Sequence, residues 1–288
     1  MRTPYRVMGV LNVTPDSFSD GGEHLAAADA IAHGLRLAGD GADIVDVGGE
    51  STRPGAEAVP EAVERERVVP VIEALRERRV TAQLSIDTSK AAVAAAAVDA
   101  GATLVNDVSA FRAEPEIAGV VARAGCDCCL MHMRGEPRTM QDDPRYDDVV
   151  DDVRAFLEAR IEFALGEGVA LDRILIDPGI GFGKTAAHNL ELIDRLDELL
   201  VLGRPIVIGT SRKSFLGRLI AASHGLQEAV PAGERLPGTL ATNVIALERG
   251  ASVFRVHDVA PVREALAVAA ATLGGRWTQR ATARTPTT

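Results

Sequence analysis

Polar and charged residues recur directly after short apolar segments along the whole chain. They are Asn12, residues 48–53, Asp87, Asn106, Asp107, His132, Asp177, residues 209–213 and residues 255–258. Carboxylates accept paired hydrogen bonds from a heterocycle edge, an amide both donates and accepts, and arginine or histidine suits phosphate oxygens. The set therefore predicts an enzyme that binds a flat heterocycle at one end of its site and an anion at the other.

Motifs for other kinds of chemistry are missing from the sequence. There is no nucleophile elbow, and the histidines show no metal-binding spacing. Lys184 lies in DPGIGFGKT, but Pro178 stands where a phosphate loop requires its first glycine. Cys126, Cys128 and Cys129 lack the spacing and the second pair of a zinc site, so we expect them to be buried strand residues.

Eight short apolar segments must position the polar residues. They are 6–11, 43–47, 82–86, 103–105, 128–131, 173–176, 205–208 and 252–254. Such continuous apolar runs are typical of parallel strands buried on both faces, and stretches such as 91–100 and 146–164 between them have helical patterns. The alternation predicts an α/β fold, a single (β/α)8 TIM barrel over 1–274, with the active site at the C-terminal ends of the strands. A doubly wound open sheet is the alternative, and the tail 275–288 is expected to be disordered.

Length, charge and composition narrow the class of protein. The 288 residues suit one barrel, which typically needs about 250. The net charge of −10 argues against non-specific binding to nucleic acid or to an anionic membrane. No apolar run approaches the ~20 residues of a membrane span, and the first residues lack the pattern of a signal peptide. We therefore expect a cytoplasmic protein with no nucleic-acid and no membrane partner.

Seven motifs occur in order between Met8 and about Asp258: NVTPDSFSDGG, DVGGESTRPGA, SIDT, NDVS, DPGIGFGKT, GTSRKSF and RVHDV. Together they resemble the dihydropteroate synthases of folate biosynthesis. The resemblance implies a homodimeric, magnesium-dependent transferase that sulfonamides inhibit. Its small-molecule substrates would be 6-hydroxymethyl-7,8-dihydropterin diphosphate and 4-aminobenzoate, and its products 7,8-dihydropteroate and diphosphate.

The resemblance also implies roles for individual residues. The pterin would be held by Asp87, Asn106 and Asp177, with Lys213 contacting the pterin and bordering the aminobenzoate site. The diphosphate would be held by Arg255, His257 and Asn12, and Mg2+ would contact Asn12 and Asp20. The aminobenzoate pocket would be lined by Phe18, Thr52, Arg53, Phe182 and Ser214, under loops 14–22 and 50–55 that close as lids. The expected catalytic residues are Asp20, Arg53, Lys213, Arg255 and His257.

Several of these residues have a structural alternative. Phe18 and Phe182 could instead anchor their loops on the barrel rim. His132 is expected to be a structural histidine with its hydrogen bonds satisfied. Asp107 directly follows Asn106 and is expected to point away from the pocket and to cap a helix.

The residues favour a dissociative substitution, because no side chain is positioned as a covalent nucleophile. Diphosphate would leave first, a pterin cation would form, and the arylamine would then attack, with Asp87 and Asp177 favouring the cation. A pterin-binding methyltransferase domain is one alternative, but it would not need the two loops or the group Lys213, Arg255 and His257. A non-catalytic pterin-binding paralogue is another, and it would be expected to have lost some of those residues.

Overall fold

The computed structural model describes residues 5–14, 22–51, 58–135 and 139–274, with residues 22–26 described by their backbone alone. The predicted tail 275–288 lies outside these ranges.

Eight parallel strands form one sheet in the described residues. They are β1 (Arg6–Asn12), β2 (Ile44–Gly48), β3 (Gln83–Asp87), β4 (Leu104–Asp107), β5 (Asp127–Met131), β6 (Ile174–Asp177), β7 (Val207–Ile208) and β8 (Val253–Val256). The strand order is β6-β5-β4-β3-β2-β1-β8-β7, and a bridge between Ile176 and Ile206 joins its two ends. The predicted TIM barrel is thus confirmed, and each predicted segment overlaps its strand with ends that differ by at most two residues.

Nine α-helices surround the strands in the described part of the chain. They are α1 (Gly22–Gly39), α2 (Glu61–Glu77), α3 (Ala91–Ala100), α4 (Glu116–Ala124), α5 (Val149–Gly166), α6 (Ala186–Asp194), α7 (Ser214–Ser223), α8 (Leu236–Glu248) and α9 (Val259–Leu273). The helix predicted from residue 146 begins three residues later, because the Asp148 side chain accepts hydrogen bonds from the N–H groups of Val150 and Asp151 and caps it. None of these helices, as far as the structure describes the chain, is long and apolar enough to cross a membrane.

An apolar plug fills the inside of the barrel. It consists of Met8, Ile44, Leu104, Cys129, Leu175, Val207 and Val253. Strand side chains alternate between two faces, so the residues two positions further along each strand also point inward. At those positions stand polar residues such as Asp46, Asn106, Asp177 and Arg255. The plug therefore ends where the polar mouth of the barrel begins.

Candidate active site

Hydrogen-bonded side chains from β2, β3, β4 and β8 form the buried floor of the barrel mouth. Asp46 on β2 is fully buried, and its Oδ1 accepts a hydrogen bond of 2.6 Å from Ser85 Oγ. Its Oδ2 accepts from Asn106 Nδ2 at 3.1 Å and from Arg255 Nε at 2.7 Å. Arg255 Nη2 also donates to Asp87 Oδ2 at 2.6 Å. A single guanidinium group therefore neutralises and orients two carboxylates inside the barrel.

Asp87 is the most strongly perturbed acid of this floor. Burial raises the pKa of Asp87 to about 7; the Arg255 charge opposes this rise, and the negative charges of Asp46, Glu64 and Asp107 add to it. Burial would by itself lower the pKa of Arg255, but the charges of Asp46 and Asp87 outweigh it and raise that pKa. Among the described residues, Asp87 Oδ1 is buried and accepts no hydrogen bond. This oxygen is consequently an acceptor for a ligand that donates.

Asp177 supplies a second carboxylate at the end of β6. Its Oδ1 accepts a hydrogen bond of 2.7 Å from the N–H of Gly179. Burial raises the pKa of Asp177, while that hydrogen bond and the positive charges of Lys213, Arg255 and Lys184 oppose the rise. Asp177 therefore interacts electrostatically both with Arg255 of the floor and with Lys184 and Lys213 of the surrounding loops.

Lys213 and Phe182 form the wall beside Asp177. Lys213 directly precedes α7, and its Nζ lies 4.1 Å from the centroid of the Phe182 ring, which is a cation–π contact. The ring packs in turn against Val108, Met131, Met133 and Met140. Ser214, the first residue of α7, is exposed beside this wall.

The loops after β7 and β8 are joined by two polar contacts. Ser211 Oγ lies 3.0 Å from His257 Nδ1 and accepts a hydrogen bond of 3.2 Å from the N–H of His257. Arg212 binds Asp258 through Nε at 3.0 Å and Nη2 at 2.6 Å. His257 is therefore held at the mouth by a neighbouring loop rather than left on a free turn.

A third polar group lies beneath the loop after β2. The Lys90 ammonium group binds the carboxylates of Glu50 and of the buried Glu64. Glu50 also accepts a hydrogen bond from the N–H of Val59. The two sides of the loop that contains residues 52–57 are thus joined at Glu50.

The described residues include nine of the predicted site residues, and all nine stand at the same end of the barrel. They are Asn12, Asp87, Asn106, Asp177, Phe182, Lys213, Arg255 and His257, with Ser214 exposed beside them. Phe18, Asp20, Thr52 and Arg53 lie outside the described residues, as do most of the two predicted lid loops. Two nitrogens of Arg255 bind carboxylates of the floor, and its contact with the diphosphate stays a prediction.

Two residues near the site have structural roles, although Asp107 binds a turn and does not cap a helix as the sequence predicted. Asp107 is buried and accepts hydrogen bonds from the N–H groups of Ser109 and Phe111, so it stabilises the turn after β4. His132 is buried, and its Nδ1 lies 2.8 Å from Lys184 Nζ.

Sequence reasoning missed Asp46 and Ser85, because only residues after the apolar segments were taken as candidates. Asp46 lies two positions before Gly48, and Ser85 two positions before Asp87, so strand alternation places each pair on the same face. A charged residue inside the strand sequence IVDVG was the available signal.

The three lysines of the chain all lie at this end of the barrel. Lys90 follows β3, Lys184 follows β6 and Lys213 follows β7. The other 28 of the 31 lysines and arginines are arginines.

Comparisons with known proteins agree with this geometry. A family model described as a pterin binding enzyme matches residues 8–257. The dihydropteroate synthase of Escherichia coli (strain K12) is 44% identical over 95% of this chain and 94% of its own length. A crystal structure of the Yersinia pestis dihydropteroate synthase with a sulfonamide drug complex superposes with a TM-score of 0.86 at 46% identity, covering 94% of each chain. The Xanthomonas albilineans dihydropteroate synthase with 4-aminobenzoic acid gives a TM-score of 0.85 at 48% identity, covering 93% of each chain.

Proposed function

The chain belongs to the pterin binding enzyme family, as a dihydropteroate synthase, and we propose from this premise the reaction that its barrel mouth performs. It joins 6-hydroxymethyl-7,8-dihydropterin diphosphate to 4-aminobenzoate, giving 7,8-dihydropteroate and diphosphate. The observation that carries the proposal is the floor itself, where Asp87 has a buried carboxylate oxygen without a protein donor in the described residues. A Xanthomonas albilineans relative of 45% identity was solved in complex with 7,8-dihydropteroate, which supports the same chemistry here.

The pterin ring binds at the floor in this proposal. Asp87, Asn106 and Asp177 are buried hydrogen-bonding groups at the ends of three strands, and they match the donors and acceptors along the edge of a pterin. Arg255 holds Asp87 in place from below, through the hydrogen bond to its Oδ2. The rigid strands give the ring one orientation, so its exocyclic carbon faces the loops.

The arylamine binds at the wall formed by Lys213 and Phe182. The flat ring of Phe182 offers an apolar surface, and the Lys213 ammonium group and the exposed Ser214 hydroxyl offer polar contacts for a benzoate. Phe18, Thr52 and Arg53 complete this aminobenzoate pocket, as the resemblance implies. Arg255, His257 and Asn12 hold the diphosphate on the same basis. The roles of Asp20 and Arg53 in catalysis remain predictions on the same basis.

Bond breaking precedes bond making in this mechanism. The bond between the exocyclic carbon and the diphosphate oxygen breaks, and its electron pair leaves with the diphosphate. The electron-rich dihydropterin carries the positive charge, which the carboxylates of Asp87 and Asp177 stabilise. The arylamine nitrogen then forms the new bond with its lone pair and releases one proton to water.

Magnesium fits the residues that would face the diphosphate. Asn12 Oδ1 lies 3.9 Å from the position that a Cβ would take at Gly48, so the glycine leaves open space beside this oxygen. Mg2+ prefers oxygen ligands and commonly takes one or two protein groups together with substrate phosphates. Asn12 and Asp20 would hold it, and when bound it supplies positive charge to the departing diphosphate. The homodimer and the cytoplasmic location likewise remain predictions.

The test is diphosphate release from the dihydropterin diphosphate, with magnesium, in the presence and absence of 4-aminobenzoate. Release that yields dihydropteroate only with the arylamine supports the synthase. Pterin binding without turnover would indicate a non-catalytic paralogue, and no pterin binding would refute the assignment of Asp87, Asn106 and Asp177.

A further inference from the structure

Lys184, at the centre of the loop between β6 and α6, is a buried amino group that the reaction described above does not use. The residue is 3% exposed. Its Nζ lies 2.8 Å from His132 Nδ1, 3.0 Å from the carbonyl oxygen of Gly179 and 3.1 Å from that of Phe182. Carbonyl oxygens can only accept, so two N–H groups of Lys184 donate to the loop main chain whether the amino group is charged or neutral. Lys184 therefore joins two main-chain carbonyl groups of its own loop to each other and to His132, which follows β5.

The partner histidine is suited to accept. Burial lowers the pKa of His132 to about 2, and the positive charge of Lys184 adds to this effect, so the ring is neutral at pH 7. The ring packs edge-on against Phe156, with centroids 4.8 Å apart. Burial also lowers the pKa of Lys184, and the charge of Asp177 opposes that change.

Three further main-chain groups of the loop bind side chains outside it. The N–H of Gly181 donates to Asn189 Oδ1 at 2.6 Å, and the carbonyl oxygen of Gly181 accepts from Gln141 Nε2 at 2.7 Å. The carbonyl oxygen of Gly183 accepts from the Tyr146 hydroxyl at 2.7 Å. Gly179 has a φ of +69°, and a Cβ there would lie 1.8 Å from the carbonyl oxygen of His132, so only glycine allows this close approach.

This rigid loop is the surface on which Lys213 rests. Besides the cation–π contact with Phe182, Lys213 Cδ lies 3.1 Å from the position that a Cβ would take at Gly181. A shift of the loop by a fraction of an ångström would therefore displace both the aromatic ring and the lysine stem.

We propose that Lys184 is a positioning residue for the arylamine side of the site. By binding the carbonyl oxygens of Gly179 and Phe182, it fixes the loop that holds the Phe182 ring against Lys213. The inference rests on the proposed function, because it assigns this loop to one of the two substrates.

The test separates the two substrates in the variant Lys184→Met, which keeps the volume of the side chain and removes its donors. We expect the KM for 4-aminobenzoate to rise about tenfold or more, the scale of losing one or two buried hydrogen bonds. The Kd for the dihydropterin diphosphate, measured by calorimetry without the arylamine, should change less, by about threefold at most, because Lys184 acts on Asp177 through its charge while the Gly179 N–H keeps its bond to Asp177 Oδ1. Loss of general structure would move both values together, so the ratio of the two changes is the readout.

Two milder variants keep the test decisive if Lys184→Met does not fold. Tyr146→Phe and Gln141→Ala each remove one side-chain hydrogen bond to a loop carbonyl from outside, and their combination should raise the KM for 4-aminobenzoate about three- to fivefold. Arg145→Ala is the matched control, because Arg145 is exposed and binds only Asp143 in the described contacts. Its KM should equal that of the parent.

An unchanged KM in Lys184→Met, or in the double variant where Lys184→Met is unfolded, would overturn the inference. So would parallel changes in KM and in the pterin Kd. If the parent protein forms no dihydropteroate, the proposed function itself fails, which is a separate result.

Discussion

Replacing Asp46 by asparagine removes one charge from the floor of the site and keeps its shape. An asparagine oxygen at the place of Oδ2 can still accept from Asn106 Nδ2 and Arg255 Nε, which now lie at 3.1 and 2.7 Å. The new NH2 group would then face Ser85 Oγ, whose hydroxyl can turn to accept. The count of hydrogen bonds is preserved, so the change isolates the charge.

The expected loss follows from the partners of Arg255. Breaking a buried ion pair by removing one partner costs about 3–5 kcal/mol, because the other charge is left without compensation. Arg255 retains its second carboxylate, Asp87, at 2.6 Å. We therefore expect Asp46→Asn to lower the free energy of unfolding by about 2–3 kcal/mol. Asp46→Ala, which also loses the hydrogen bonds, should lower it by about 1–2 kcal/mol more.

The same variant should change the pH dependence of pterin binding. The negative charge of Asp46 helps to raise the pKa of Asp87 to about 7, so removing it lowers that pKa. Ionised Asp87 accepts from the pterin, so affinity falls as the pH drops through the Asp87 pKa, and the midpoint should move to lower pH in the variant.

Urea denaturation of the parent and of Asp46→Asn measures the change in the free energy of unfolding. Calorimetric titration with the pterin between pH 5 and 9 measures the pH midpoint of binding. The view that one guanidinium group balances two carboxylates would be refuted if the variant had the same urea midpoint as the parent and the same pH midpoint of pterin binding.

Three further predictions concern single carboxylates. Asp177→Asn should weaken pterin binding by about 1.5–3 kcal/mol, the scale of a hydrogen bond to a charged group, and unchanged affinity in calorimetry would contradict its role. The pKa of Asp87 is about 7 in the folded protein and exceeds the ordinary aspartate value of 3.8. Between these two pH values, the folded state keeps a proton that the unfolded chain has lost. Stability from this group should therefore fall as the pH rises from about 4 to 7, and urea midpoints of Asp87→Asn should lack that slope. Asp148→Ala removes the cap of α5 and the ion pair with Arg195, and should cost about 1–2 kcal/mol of stability with activity unchanged, whereas the exposed Asp147→Ala should leave the urea midpoint in place.

The sequence was sufficient for the barrel because its strands are buried on both faces and read as continuous apolar runs. The predicted ends fell short at Asp87, Asn106 and Asp177, since the ladder of main-chain hydrogen bonds continues through these polar residues. A polar side chain shows that the environment of the chain changes at that position, but the strand can continue through it.

The pairing of the site residues could not be predicted in the same way. Arg255 meets Asp46 and Asp87 across 209 and 168 residues of chain, and only the closed barrel brings them together. From the sequence, Lys184 is not part of a phosphate loop, because Pro178 takes the place of the first glycine. Its inward direction, however, depends on His132, which is 52 residues away, and on three glycine conformations of the loop.

The placement of the lysines has a practical consequence for labelling this protein. Reagents that acylate primary amines find their lysine targets only around the mouth of the barrel, and Lys184 is shielded there by burial. Maleimides are no easier to use, because Cys126, Cys128 and Cys129 are all buried. Coupling to a sensor surface through the lysine amines would thus orient the mouth toward the support and obstruct it, while one cysteine introduced on an outer helix would give a dye or a tether a single attachment point away from the mouth.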